Sequence, residues 1–140
     1  MGSGLRTAPG IKPATASPAR RPCVRSFPGT TIAGTRIATE AQFLFAQYAF
    51  DGLGYRRYEW KCDNRNEPSK RAALRFGFRP EGVFRQHMVI KGENRDTAWF
   101  AILDHEWPAL KAGYLRWLDP SNFDASGTQR RPLAACLPQP

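Results

Sequence analysis

Glu59 and Glu81 are carboxylates and His87 is an imidazole, each able to take a proton from a neighbouring molecule, and Cys62 is a thiol able to attack one. Each has a plainer use. A charged side chain on the open side of a strand is ordinarily solvated, a histidine on a strand ordinarily packs, and nothing beside Cys62 identifies a base that would activate it. Cys23, Cys62 and Cys136 are an odd set with no C-x-x-C spacing, and the chain has two histidines, His87 and His105. That pattern suits neither a disulfide framework nor a zinc site, so no metal is expected. Reduced thiols point to an intracellular, cytoplasmic setting.

Elements must hold these residues. Ala38 to Leu53 places Phe43, Ala46, Gln47, Phe50 and Leu53 at three- and four-residue spacings, with Glu40 in the first turn and Gly54 just beyond, which predicts a helix with a buried face. Arg57, Glu59 and Lys61 then alternate with Tyr58, Trp60 and Cys62, the pattern of a short strand. Asn66-Glu67-Pro68-Ser69 opens a second helix with Asn66 as N-cap; Ala72, Ala73 and Phe76 face inward and Gly77 stops it. Val83 to Ile90 and Thr97 to Leu103 predict two antiparallel strands joined by the polar turn Lys91 to Asp96, and Glu106 to Leu118 predicts an amphipathic helix. The fold class is α/β.

The chain has 140 residues, long enough for one core, and lacks the run of roughly 20 apolar residues that crosses a bilayer. Its net charge is +9, of which residues 1 to 35 hold +5: Arg6, Lys12, Arg20, Arg21 and Arg25, with no acid. The same stretch contains five prolines and no apolar periodicity. It reads as a disordered basic tail, as a transit peptide, or as unrelated sequence joined to the front of a domain. The folded part is expected at 36–120, followed by a polar, Pro-rich tail at 121–140. Basic and aromatic residues do not cluster into a recognised motif, so nucleic acid is not the expected partner.

Asn66 is followed by Gly77 and Phe78, eleven and twelve residues on across a helix. This block, with Ala38-Thr39-Glu40-Ala41, the stretch Tyr55 to Cys62, Phe84 to His87 and Asn94 to Trp99, resembles the GNAT superfamily of N-acetyltransferases. The branch that it resembles includes ribosomal-protein N-terminal acetyltransferases, and the match covers about residues 36 to 132. The resemblance implies acetyl transfer from acetyl-CoA to a primary amine, either a protein N-terminus or a small amine. It implies that Arg36, Ile37, Ala38 and Thr39 cradle the coenzyme pyrophosphate at a helix N-terminus, where free N–H groups and the helix dipole attract anions. It implies that Asn66 contacts the coenzyme arm, with Ser69 one turn later on the same side.

Several members of the family carry a Tyr seven residues after this Asn as the acid for the departing thiolate; here that residue is Ala73. A base is also needed, since only a neutral amine attacks, and Glu59 and Glu81 are the candidates. The resemblance further implies a mixed central sheet with flanking helices, in which earlier strands precede the helix at Ala38 and the last of them splays away to admit the coenzyme. Residues 1 to 35 offer no such strand. The chain is therefore expected to be the C-terminal portion of the fold, of reduced activity. The alternative is a non-catalytic remnant that binds a partner, or itself, through an unpaired strand edge near Arg56 to Cys62.

Overall fold

The computed structural model describes residues 35–138. Helix α1 (Arg36–Gln47) runs into a π turn (Tyr48–Gly52); strand β1 (Arg57–Asp63), helix α2 (Glu67–Arg75), strands β2 (Arg79–Ile90) and β3 (Glu93–Leu103), helix α3 (Trp107–Leu118), a 3-10 turn (Pro120–Asn122) and the short helix α4 (Leu133–Cys136) follow. The three strands form one sheet in the order β1-β3-β2, and both pairings are antiparallel. The α/β class matches the expectation. A parallel neighbour for β1, the feature that would make the sheet mixed, is not among the described residues.

Alternation along β1 sorts the sheet into two faces. Tyr58, Trp60 and Cys62 are buried with Phe100 and Ile102 of β3 and with Phe78. Phe43 and Phe50 from the first helical segment, Ala73 and Phe76 from α2, and Trp107, Leu110, Tyr114 and Trp117 from α3 cover them. Rings interlock through this layer, with Tyr58 and Trp60 meeting Phe78 at 5.3 and 5.6 Å between centroids and Phe50 stacking on Trp107 at 5.3 Å. Each such side chain contributes about 1.5–3 kcal/mol by leaving water.

The first helix departs from its expected phase. Its π turn inserts an extra residue, so Ala49 and Phe50 are buried while Leu53, expected inside, is 45% exposed. The same turn aims Asp51 at α3, where its carboxylate accepts from the Trp107 indole at 2.9 Å and from the Lys111 ammonium at 2.6 Å. The hairpin turn is also tighter than the six residues expected. Lys91 and Gly92 alone make it, both at positive φ, the backbone of a type I′ turn.

Residues 121–138 correct the expectation of a polar tail. Leu133, Cys136 and Leu137 are buried against α3, and Asn122 ties the segment down by donating to the carbonyls of Trp117 (2.9 Å) and Arg131 (3.2 Å). Gly113 makes the contact possible, because a Cβ there would lie 2.6 Å from the Cys136 carbonyl oxygen. The expected basic segment 1–35 lies, apart from Thr35, outside the described residues.

Gly77 shows how α2 ends. Its N–H donates to the Leu74 carbonyl and that of Phe78 to the Ala73 carbonyl, both at 3.0 Å, with Gly77 at φ +85. This is a Schellman closure. A Cβ at Gly77 would also meet Leu110 at 2.6 Å. Gly77→Ala should therefore cost about 2 kcal/mol in urea unfolding, from the left-handed backbone and the crowding together. An unchanged midpoint would contradict this account of the turn.

Candidate active site

The two cofactor-binding stretches expected from the sequence are brought into one frame by α2. At the start of α1, the Thr35 hydroxyl accepts from the Ala38 N–H at 3.3 Å and the Thr35 carbonyl from the Thr39 N–H at 3.2 Å. The amides of Arg36 and Ile37 have no acceptor among the described residues, so two of the four expected donors remain directed outward. Both residues are exposed, Ala38 is half-buried, and the Arg36 guanidinium lies 4.5 Å over the Phe123 ring.

Thr39 is fully buried, and its hydroxyl works inside the fold. It donates to the Thr35 carbonyl at 3.1 Å and accepts from the Arg75 guanidinium at 3.0 Å. Arg75 is the last residue of α2, so this bond joins the first turn of α1 to the last turn of α2. Arg75 also lies over the rings of Phe76 and Trp117, 5.2 and 5.9 Å from their centroids, and pairs with no carboxylate among the described residues. Burial pushes its pKa down, as expected of a cation with little compensating charge.

The other end of α2 begins at Asn66, about 13 Å away at the rise of a nine-residue helix. The Asn66 side-chain oxygen accepts from the Ser69 N–H at 3.0 Å, an N-cap, while the residue itself is exposed and its amide nitrogen has no acceptor among the described residues. Ser69 turns inward: it is 7% exposed, and its hydroxyl accepts from the Trp60 indole at 3.1 Å. Its placement is that of a tie between α2 and β1. Ala73 is fully buried. Burial also raises the pKa of the Cys62 thiol, the opposite of what a nucleophile needs.

The sheet face turned away from the helices gathers the proton-transfer candidates. The Arg57 side chain joins both carboxylates, donating from Nε to Glu59 at 2.8 Å and from Nη1 to Glu81 at 2.7 Å, with Nη2 on the second Glu81 oxygen. Glu59, Glu81, Lys61, Phe84, His87 and Trp99 line an open cleft of about 400 Å³. His87 Nδ1 is 2.9 Å from the Thr97 hydroxyl, its ring meets Phe84 edge-on at 5.4 Å, and Lys61 lies 5.0 Å over Trp99. Sequence spacing alone could not unite Glu59 with residues more than twenty positions away; the register of β1, β3 and β2 does so. Among the described residues no group of three His, Cys, Asp or Glu side chains could hold a metal ion.

Comparison with known proteins agrees with this architecture. The acetyltransferase (GNAT) domain family matches residues 15–79. An uncharacterized N-acetyltransferase of Bacillus subtilis, YnaD, is 33% identical over 70 residues, covering 50% of this chain and 41% of that protein. The crystal structure of a GCN5-related N-acetyltransferase from Brucella melitensis is 65% identical with a TM-score of 0.74, over 77% of this chain and 49% of that one. Mycobacterium smegmatis RimJ, solved in complex with CoA-disulfide, is 30% identical with a TM-score of 0.50, over 57% of this chain and 38% of that one. The chain thus spans about half the length of such relatives or less.

The hydrogen bonds from Arg57 hold the Glu81 carboxylate below its ordinary pKa. A depressed folded-state pKa gives stability that is present above the unfolded value and lost as pH falls through the folded one. Glu81→Gln should therefore lower the urea midpoint at pH 7, and the difference from the parent should close as pH drops below about 4. A difference that stays constant from pH 7 to 3 would remove the ion pair as its cause.

Proposed function

From its similarity to GNAT acetyltransferases, we propose that this chain carries part of such a domain, binds acetyl-CoA and transfers the acetyl group to a primary amine. The observation that carries this reading is the 65% identity to the Brucella melitensis acetyltransferase, which covers 77% of this chain at a TM-score of 0.74. The geometry fits the coenzyme. Two outward amides at Arg36 and Ile37 suit a pyrophosphate, Arg75 adds uncompensated positive charge beside the first turn of α1, and the free amide nitrogen of Asn66 waits about 13 Å along for the peptide-like arm. In this reading Ala38 and Thr39 shape the cradle, and Ser69 holds the helix that presents Asn66.

Bound coenzyme supplies an acetyl group activated as a thioester. The chain supplies position and proton handling. Glu59, whose carboxylate is shared with Arg57 yet only 12% exposed, takes the proton that the ammonium must lose, through a water molecule. The amine nitrogen then bonds to the acetyl carbon while the carbon–sulfur bond breaks. The thiolate regains its proton from solvent, since Ala73 has none to give. Glu81 is the second candidate, and its tighter hold by Arg57 makes it the weaker base. The acceptor class includes a protein N-terminus, in line with the RimJ likeness, and buried thiols at Cys62 and Cys136 are compatible with a cytoplasmic setting.

The outer edge of β1 has no partner strand among the described residues. That favours reduced activity, and it supports a second reading, a remnant that associates with a partner or with itself through this edge. Two measurements separate them. For the enzyme, calorimetric titration should show acetyl-CoA binding that Asn66→Ala weakens about tenfold, a hydrogen bond's worth, and amine substrates should release thiol. Absence of binding sinks the enzyme reading. For the module, light scattering should show a defined dimer, and a monomer at all concentrations sinks that one.

A further inference from the structure

Ion pairs are found on the sheet, the hairpin, α2, the π turn and the turn before α3, whereas Arg116, Arg130 and Arg131, like Arg36, Arg56, Arg71, Arg75 and Arg85, pair with no carboxylate among the described residues. These three arginines line one cleft of about 530 Å³, between the end of α3 and the C-terminal segment, together with Asp119, Ser121 and Asn122. One guanidinium nitrogen of Arg116 donates to the Cys136 carbonyl at 2.7 Å, leaving its other donors available. Arg130 and Arg131 are exposed, and only their backbones are engaged: their amides donate to the Asn122 carbonyl and side-chain oxygen, and the Arg131 carbonyl accepts from the Asn122 side chain.

The nearby carboxylates do not balance this charge. Asp119 accepts from the Ser121 amide at 2.8 Å and hydroxyl at 2.6 Å, and Asp124 accepts from Ser126 and Thr128 in the same manner. Both carboxylates are thereby satisfied within their own turns. Three guanidiniums around a cleft with one carboxylate leave a surplus of about two positive charges, the complement of a phosphate monoester near neutral pH, and the planar fork of arginine suits its oxygens. No residue of α1 lines the cleft; the link to α1 is indirect, through Trp117, which meets Phe123 at 5.2 Å, and Phe123, which carries Arg36 on its ring.

We infer that Arg116, Arg130 and Arg131 form a phosphate-monoester site, built by the C-terminal segment and separate from the amide cradle at α1. Coenzyme A carries such a group, its 3′-phosphate, and a free phosphate ion offers the same chemistry. Assigning the phosphate to the coenzyme rests on the acetyltransferase reading; the site itself does not.

The double variant Arg130→Ala/Arg131→Ala removes two exposed side chains and keeps the backbone bonds to Asn122, so its circular dichroism should match the parent. Calorimetry on both proteins with coenzyme A, with 3′-dephospho-coenzyme A and with inorganic phosphate decides the matter. The expected result is that the parent prefers coenzyme A over the dephospho form by about tenfold and that the variant loses this preference while keeping its dephospho affinity. Phosphate binding by the parent alone, without a preference between the two coenzymes, also supports the site and assigns it to a free phosphate. Equal behaviour of parent and variant toward all three ligands overturns it. Should neither coenzyme bind the parent, the acetyltransferase reading fails by itself, and the phosphate titration still decides the site.

Discussion

The bond from Arg75 to the Thr39 hydroxyl sits where three helices converge, linking the first turn of α1 to the last turn of α2 beside Trp117 of α3. A guanidinium is costly to bury, and here burial is offset by one hydroxyl acceptor and by two aromatic faces rather than by an acid. Because Thr39 belongs to the first turn of α1 and Arg75 to the last turn of α2, the bond sets the distance between the outward amides of α1 and the cap of α2. Trp117 brings α3 into the same arrangement and, through Gln129 on its indole nitrogen at 2.9 Å, the C-terminal segment as well. The start of α1, the core and the C-terminal segment are thus tied together by these contacts.

The sheet divides labour between its faces. On the helix side, aromatic rings fill space and the few polar groups find partners there, the Trp60 indole donating to the Ser69 hydroxyl at 3.1 Å and Gln42 to the Tyr58 hydroxyl at 3.2 Å. On the open side, charge and rings alternate around Arg57, which donates to two carboxylates lining one cleft. The two carboxylates of that cleft are matched by the two cations Arg57 and Lys61.

Much of this was legible in the sequence because local rules and global packing agree there. The alternation of Tyr58, Trp60 and Cys62 gave the buried face of β1, and Asn66 with Gly77 gave both ends of α2 to the residue, since cap and Schellman chemistry depend on short-range geometry. Other features were not. Thr39, Gln42 and Ser69 are polar side chains whose burial depends on partners thirty-six, sixteen and nine positions distant, which no local pattern reveals. The C-terminal segment was hidden by its proline and polar content, although Leu133, Cys136 and Leu137 stand at helical spacing and Gly113 leaves room for them. The meeting of Glu59, Glu81 and His87 depends on strand register and on the bulge around Gln86, a long-range property.

The π turn at Tyr48–Gly52 behaves as a phase adjuster. An ordinary helix through these residues would rotate each one downstream by about 100° relative to its present direction. Asp51 would then swing off Trp107 and Lys111, and Leu53 would turn toward the interior that Phe50 already fills. One supernumerary residue thus settles which of two incompatible sets of side chains reaches the core. A deletion of a single codon in this stretch, harmless to helix propensity, would act on the whole interface between the first and third helices.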